Sequence, residues 1–250
     1  MAIALPVAAI TRGGEADDGE HPYVGLMVAD DAAGNPLWRC TGALISPTVF
    51  VTAGHCTEAP AARATIWFEE DVEADIPANG YPFSGPTSFD GTTFTHPDYD
   101  PGAFFLHDLG VVVLDGAGNT GLATCADLAD PGAIDDLKPG RKSATLTAVG
   151  YGLQKINPVM VQADRVRLKA DLMVVDTRGQ AGIGSPGGNS VIVSGNAKHG
   201  GTCFGDSGGP QLIGHDIAAV TSFGLNGNCA GVGGGYRIDN ADDIAWILGF

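Results

Sequence analysis

Gly205-Asp206-Ser207-Gly208-Gly209-Pro210 sets one serine hydroxyl among three glycines and a carboxylate. A serine hydroxyl is a weak nucleophile at its own pKa. It needs an imidazole beside it, and the imidazole needs a carboxylate to hold its tautomer and stabilise its charged form. Two earlier segments supply those groups: Thr52-Ala53-Gly54-His55-Cys56 and His107-Asp108-Leu109-Gly110-Val111. The glycines let the backbone N–H groups of Gly205 and Ser207 turn toward one point, where a tetrahedral oxyanion would form. Alone, any of the histidines at 21, 55, 96, 107, 199 and 215 reads as an ordinary surface or core residue, and Asp108 as a strand end. The three segments together give Ser207 as nucleophile, His55 as base and Asp108 as its orienting carboxylate.

Outward from this motif the chain is a series of short apolar runs, at 23–28, 43–45, 49–51, 64–68, 109–114, 144–149, 159–168, 190–193 and 217–223, broken by Gly, Pro, Asn and Asp. Strand-length runs rich in β-branched and aromatic residues, with turn residues between them, predict an all-β sandwich or barrel rather than alternating βα units. Only the end reads as helical. Asp239 or Asn240 can cap a helix in which Ala241, Ile244, Ala245 and Leu248 recur at helical spacing, with acidic residues in its first turn. The Gly-, Ser- and Asn-rich stretch 179–201 reads as a set of loops, and no repeat or linker is visible.

The chain has 250 residues, 44% hydrophobic and 17% charged, which suits one or two globular domains with a self-sufficient core. No run approaches the roughly 20 apolar residues of a membrane span. The net charge of −16 disfavours phosphate backbones and anionic lipid surfaces as partners. It suits solubility outside a cell, with attraction of basic substrates as the alternative. Residues 1–9, Met-Ala-Ile-Ala-Leu-Pro-Val-Ala-Ala, are too short and too poor in basic residues for a complete secretory signal, but Val7-Ala8-Ala9 has the small-residue form of a signal-peptidase site. They read as a signal or propeptide remnant whose removal leaves Ile10 first, against the plainer reading of a frayed terminus.

Five cysteines stand at 40, 56, 125, 203 and 229. Bridges 40–56 and 203–229 each flank short apolar runs as a hairpin would, although spacing alone leaves connectivity open. Paired cysteines favour an extracellular compartment, and Cys125 is left as a buried free thiol. No Cys-x-x-Cys or His-x-x-x-His spacing supports zinc, so no metal site is assigned. The acidic run Glu69-Glu70-Asp71-Val72-Glu73 is either a calcium loop or a solvated one.

From Ile10 to the terminal helix the chain resembles the trypsin-like, chymotrypsin-fold serine endopeptidases. Val51-Thr52-Ala53-Gly54-His55-Cys56 matches the family's Leu-Thr-Ala-Ala-His-Cys, Asp108-Leu109-Gly110-Val111-Val112 its Asp-Ile-Ala-Leu-Leu, and Cys203 to Pro210 its Cys-x-Gly-Asp-Ser-Gly-Gly-Pro. The resemblance implies two six-stranded antiparallel β-barrels, at about 23–120 and 140–238, a C-terminal α-helix at about 240–248 and an active site in the cleft between the barrels. It implies the two disulfides, a Ser222 hydrogen bond to Asp108, and a substrate-binding strand Ser222-Phe223-Gly224 with Phe where Trp is usual. Gly201, six residues before Ser207, would form the uncharged base of the primary specificity pocket, Gly224 and Gly234 its walls, and Phe204 would join the substrate-binding set. An open, uncharged pocket suits Phe, Tyr, Leu or Met.

The family's start is matched in register, because Ala16, Gly19 and Pro22 fall at the family's offsets from Ile10. The resemblance therefore implies that the free amine of Ile10 inserts beside Asp206 and completes the oxyanion hole. Thr11-Arg12-Gly13 departs from the family's Val-Gly-Gly, and Ala9 replaces the usual basic residue, which suits a signal peptidase or an alanine-tolerant protease better than a trypsin-like activator. The expected protein is a secreted, monomeric serine endopeptidase without cofactor, acting on proteins or peptides and open to protein protease inhibitors. An α/β-hydrolase esterase is disfavoured because the only downstream histidine, His215, follows Ser207 too closely. A pseudo-protease binding module is the remaining alternative.

Overall fold

The computed structural model describes residues 10, 14–103, 105–116, 121–122, 124–139, 144–157, 160–179, 189–195 and 200–250. The expected two closed six-stranded antiparallel barrels are both present. The first uses β1 (Val24–Asp30), β2 (Pro36–Leu44), β3 (Val49–Thr52), β4 (Arg63–Trp67), β5 (Phe89–Thr95) and β6 (Gly110–Leu114), in the order β1-β2-β3-β6-β5-β4. The second uses β7 (Thr145–Gly150), β8 (Leu168–Asp176), β9 (Ser190–Gly195), β10 (Pro210–Ile213), β11 (Asp216–Gly224) and β12 (Gly231–Arg237), in the order β8-β9-β12-β11-β10-β7, closed by pairing of β7 with β8. Closure leaves neither barrel an unpaired edge.

β1 is buried along its whole length because the second barrel covers the face that its own barrel does not. Val24, Leu26, Phe50 and Trp67 share one core with Val149, Tyr151, Leu212 and Val220 from the second barrel. A second core gathers Ile134, Leu146, Leu168, Leu172 and Val191. A short segment, Glu15–Ala16, pairs antiparallel with Leu168 and Lys169 and ties the start of the chain to the second barrel. Asp17, buried beside it, holds His21 and the Nε of Arg167 at 2.9 Å.

Three sequence expectations are corrected. The run 159–168 is not one strand: Met160–Gln162 pairs in a hairpin with Lys155–Asn157, and the next barrel strand begins only at Leu168. Gln154 explains the break, since its amide accepts from the Asp164 N–H and donates to the Asp164 carbonyl, turning the chain there. The terminal helix, Ala241–Ile247, is capped by Asn240 rather than Asp239, but Leu248 is 66% exposed and its buried residues are Asp243 and Ile247. The Tyr236 hydroxyl donates to Asp243 at 2.7 Å, so a polar contact sets which face turns inward. Within 179–201 the run expected at 190–193 is strand β9, and residues 180–188 and 196–199 lie outside the described residues. Cys125 is half-buried rather than buried. Residues 1–9 and 11–13 lie outside the described residues.

Candidate active site

His55 sits on a single helical turn, Gly54–Thr57, that follows β3, and Asp108 on the turn entering β6. Pairing of β3 with β6 therefore sets the two side by side. The His55 Nδ1 lies 2.9 Å from Asp108 Oδ2, and the His55 backbone N–H donates to Asp108 Oδ1 at 2.9 Å. The Ser222 hydroxyl donates to Asp108 Oδ2. Asp108 is fully buried while the His55 side chain is 26% exposed, so the carboxylate is sealed and the imidazole opens on the cleft. Burial alone would lower the His55 pKa, but attraction to Asp108 and their hydrogen bond outweigh it and raise it above the usual 6.5.

Ser207 is fixed by its own backbone. Its carbonyl accepts from the Thr41 N–H at 2.8 Å, and the Gly208 N–H donates to Thr221 at 2.7 Å. Gly208 has φ of 78°, and a Cβ there would run into the Thr52 hydroxyl and the Thr41 carbonyl. Gly205 has φ of 96°. These are conformations that glycine alone adopts readily. Among the described residues the N–H groups of Gly205 and Ser207 have no acceptor, whereas those of Asp206, Gly208 and Gly209 do. Two donors are thus left free beside the serine. His55 and Ser207 line one cavity of about 380 Å³ with Phe204, Ser222, Phe223 and Gly224.

The expected specificity pocket is assembled only in part. Gly201 and Gly224 line a separate recess of about 20 Å³ with Leu172, Val193 and Gly233, too small for a large side chain. Gly234 lines neither space, since a Cβ there would run into the ring of Phe223, its cross-strand partner. Strand alternation puts Gly233 where Gly234 was expected. The room beside the reacting groups is instead bounded by Phe204 and Phe223.

Asp206 is 1% exposed, and its two oxygens accept from the N–H groups of Gly152 and Cys203, each at 2.8 Å. Burial pushes its pKa up to about 6, offset in part by these hydrogen bonds and by the charge of Arg39. With Ala9 attached, Ile10 has an amide in place of an amine, and its side chain is buried in the second core. Among the described residues no hydrogen bond or ion pair joins Ile10 to Asp206.

Disulfide Cys40–Cys56 joins β2 to the His55 turn, and Cys203–Cys229 joins the serine loop to the loop before β12. The side chains of the acidic run do not gather around a common point. Glu70 accepts from the Asp18 N–H, Asp71 from the Ala74 N–H, and Glu73 pairs with Arg165 at 2.6 Å; the buried Glu69 oxygens lack partners, but one carboxylate does not make a calcium site. Sequence reading missed Thr41, whose hydroxyl donates to the Gly205 carbonyl at 2.8 Å, and Arg39, whose guanidinium lies against Gly205. Neither carries a motif; they act through strand placement. Among the described residues no helix is long and apolar enough to cross a membrane.

A family model, Trypsin, matches residues 10–246. The chain is similar to trypsin of Saccharopolyspora erythraea, 26% identical over 218 residues and 86% of each chain, and to brachyurin of Leptuca pugilator, 28% identical over 228 residues and 88% of each. Among solved structures, HL collagenase superposes with a TM-score of 0.74 at 19% identity, over 96% of this chain and 97% of the other. Human heparin binding protein does so with a TM-score of 0.68 at 22% identity, over 95% of each. The structural likenesses speak to the fold.

Proposed function

Because the chain belongs to the trypsin family of serine proteases, matched along residues 10–246, we propose that it is an active endopeptidase working through Ser207, His55 and Asp108. The observation that carries this reading is the sealed His55–Asp108 pair opening on a cavity that Ser207 also lines, with the N–H groups of Gly205 and Ser207 left free in the serine's own loop. The His55 nitrogen remote from Asp108 takes the Ser207 proton as its oxygen attacks the substrate carbonyl. Asp108 then stabilises the imidazolium, and the Gly205 and Ser207 N–H groups receive the oxyanion. The leaving amine takes the proton from His55, and water repeats the sequence on the acyl-enzyme.

The lining by Phe204 and Phe223 suits a large apolar or aromatic residue on the acyl side of the cut, since an uncharged wall offers nothing to offset desolvation of a Lys or Arg head group. Two disulfides and the net charge of −16 suit secretion. Removal of residues 1–9 frees the Ile10 amine, which then moves beside Asp206. Mapping of cut sites in a peptide library by mass spectrometry tests the reading. Cuts after Phe, Tyr, Leu or Met support it, while cuts chiefly after Lys or Arg overturn the pocket assignment. A folded, disulfide-bonded chain beginning at Ile10 that cuts nothing overturns the activity.

A further inference from the structure

We propose that His96, Asp98 and His107 form a binding site for a divalent transition ion of the zinc type, directly behind the turn that carries Asp108. One nitrogen from each imidazole and one Asp98 oxygen lie within 4.8 Å of one another. Two imidazoles and a carboxylate are the donor set of zinc, nickel or copper rather than of calcium or magnesium, which take oxygen ligands. The other cluster of this kind among the described residues, Cys40, His55 and Cys56, has both sulfurs tied in a disulfide and offers only one ligand.

The surroundings hold His96 in place. His96 is 8% exposed, with Trp246 edge-on at 5.0 Å and the Asp98 N–H donating to its Nδ1 at 3.2 Å. Its Nε2 lies 3.6 Å from Asp243, whose other oxygen accepts from Tyr236, and the Tyr236 hydroxyl is 3.5 Å from His107 Nδ1. Carboxylate and phenol partners of this kind orient metal-bound imidazoles. The two rings lie 5.0 Å apart and within 10° of parallel. Lone pairs lie in the ring planes, so a shared ion requires the more exposed ring, that of His107, to turn off Tyr236, and at His96 Nδ1 it replaces the 3.2 Å contact from the Asp98 N–H.

That turn reaches the active site. His107 has φ of 53°, uncommon for a residue with a side chain, and its carbonyl accepts from the Leu109 N–H at 2.7 Å, closing a three-residue turn around Asp108. An ion that draws the His107 ring toward His96 shifts this turn, so occupancy lowers turnover. The lowered turnover rests on the proposed mechanism; the binding does not.

The test is calorimetric titration of zinc into the chain beginning at Ile10, alongside Asp98→Asn, His96→Gln and His55→Ala, with peptide hydrolysis followed in parallel. One equivalent should bind, Asp98→Asn and His96→Gln should each weaken binding by about tenfold or more, and His55→Ala should leave it intact. Cobalt in place of zinc should give the visible absorption of a four-coordinate site. Asp98 is exposed, so Asp98→Asn keeps the test open should His96→Gln fail to fold. Absence of binding, or binding lost in His55→Ala and retained in Asp98→Asn, overturns the site. Binding as expected with turnover unchanged overturns the coupling and leaves the site standing.

Discussion

Replacing Asp206 by Asn in the chain that begins at Met1 isolates the cost of a buried carboxyl that its hydrogen bonds and the charge of Arg39 offset only in part. Burial holds this group at a pKa of about 6 against the usual 3.8, so between those values the folded chain keeps a proton that the unfolded chain has released. Stability therefore falls as pH rises through that window and levels off above it. A shift of about two pH units at about 1.4 kcal/mol each gives a loss of about 3 kcal/mol. Asn has no charge to desolvate. It can still accept from Gly152, and the cost of turning its amide toward the Cys203 N–H is the same at every pH. Urea unfolding, followed by the fluorescence of the buried Trp67, gives the difference between parent and variant. From about pH 4 to pH 8 that difference should move by about 3 kcal/mol in favour of the variant. In the chain beginning at Ile10, where the amine is proposed to pair with the carboxylate, the movement should vanish or reverse. A difference that stays flat with pH in the Met1 chain would falsify the claim that Asp206 is desolvated beyond what its hydrogen bonds and Arg39 offset.

Ser207→Ala or His55→Ala should lower the turnover number by roughly 10⁴–10⁶, with little added by combining them, because triad members act as a unit; steady-state kinetics checks this, and a tenth of the parent's turnover in Ser207→Ala counts against the assignment. Since Asp108 raises the His55 pKa, activity should fall as pH drops through a value above 6.5, and Asp108→Asn should move that limb of the kcat/KM profile to lower pH and cost most of the rate. Asp17 behaves oppositely to Asp206: burial opposes its ionisation, but hydrogen bonds from His21 and Arg167 outweigh this and hold its pKa at about 2. It contributes about 2 kcal/mol above the usual carboxylate range, lost as pH falls from about 4 toward 2, and Asp17→Asn should flatten that part of the acid-unfolding curve. Gly208→Ala should cost about 1–3 kcal/mol in urea unfolding and most of the activity, because the added methyl meets Thr52 in a left-handed backbone.

The barrels were legible because their strands are apolar runs bounded by turn residues, as in 49–51 and 109–114. Strands that break this pattern were not. Phe89–Thr95 is mostly polar and Gly231–Arg237 is more than half glycine, so both are strands by virtue of the neighbours they pair with. The reacting residues stood out because each lies in a segment where glycine or cysteine fixes the backbone around it. The specificity pocket did not, because it depends on which way Phe223 and the three successive glycines at 233–235 face, and glycines carry no alternation to read. The terminal helix misled for a related reason: its inward face is set by the Asp243–Tyr236 hydrogen bond, which a count of apolar residues does not register.

Labelling by a fluorophosphonate probe tests the central claim most directly, because it requires an activated serine and a formed oxyanion site without presuming a substrate. The account predicts that the chain beginning at Ile10 takes up one probe, that peptide mass mapping places it on Ser207, and that His55→Ala abolishes the reaction while the chain keeps its fold and disulfides. A folded chain that remains unlabelled, or a label carried on another serine, would contradict it.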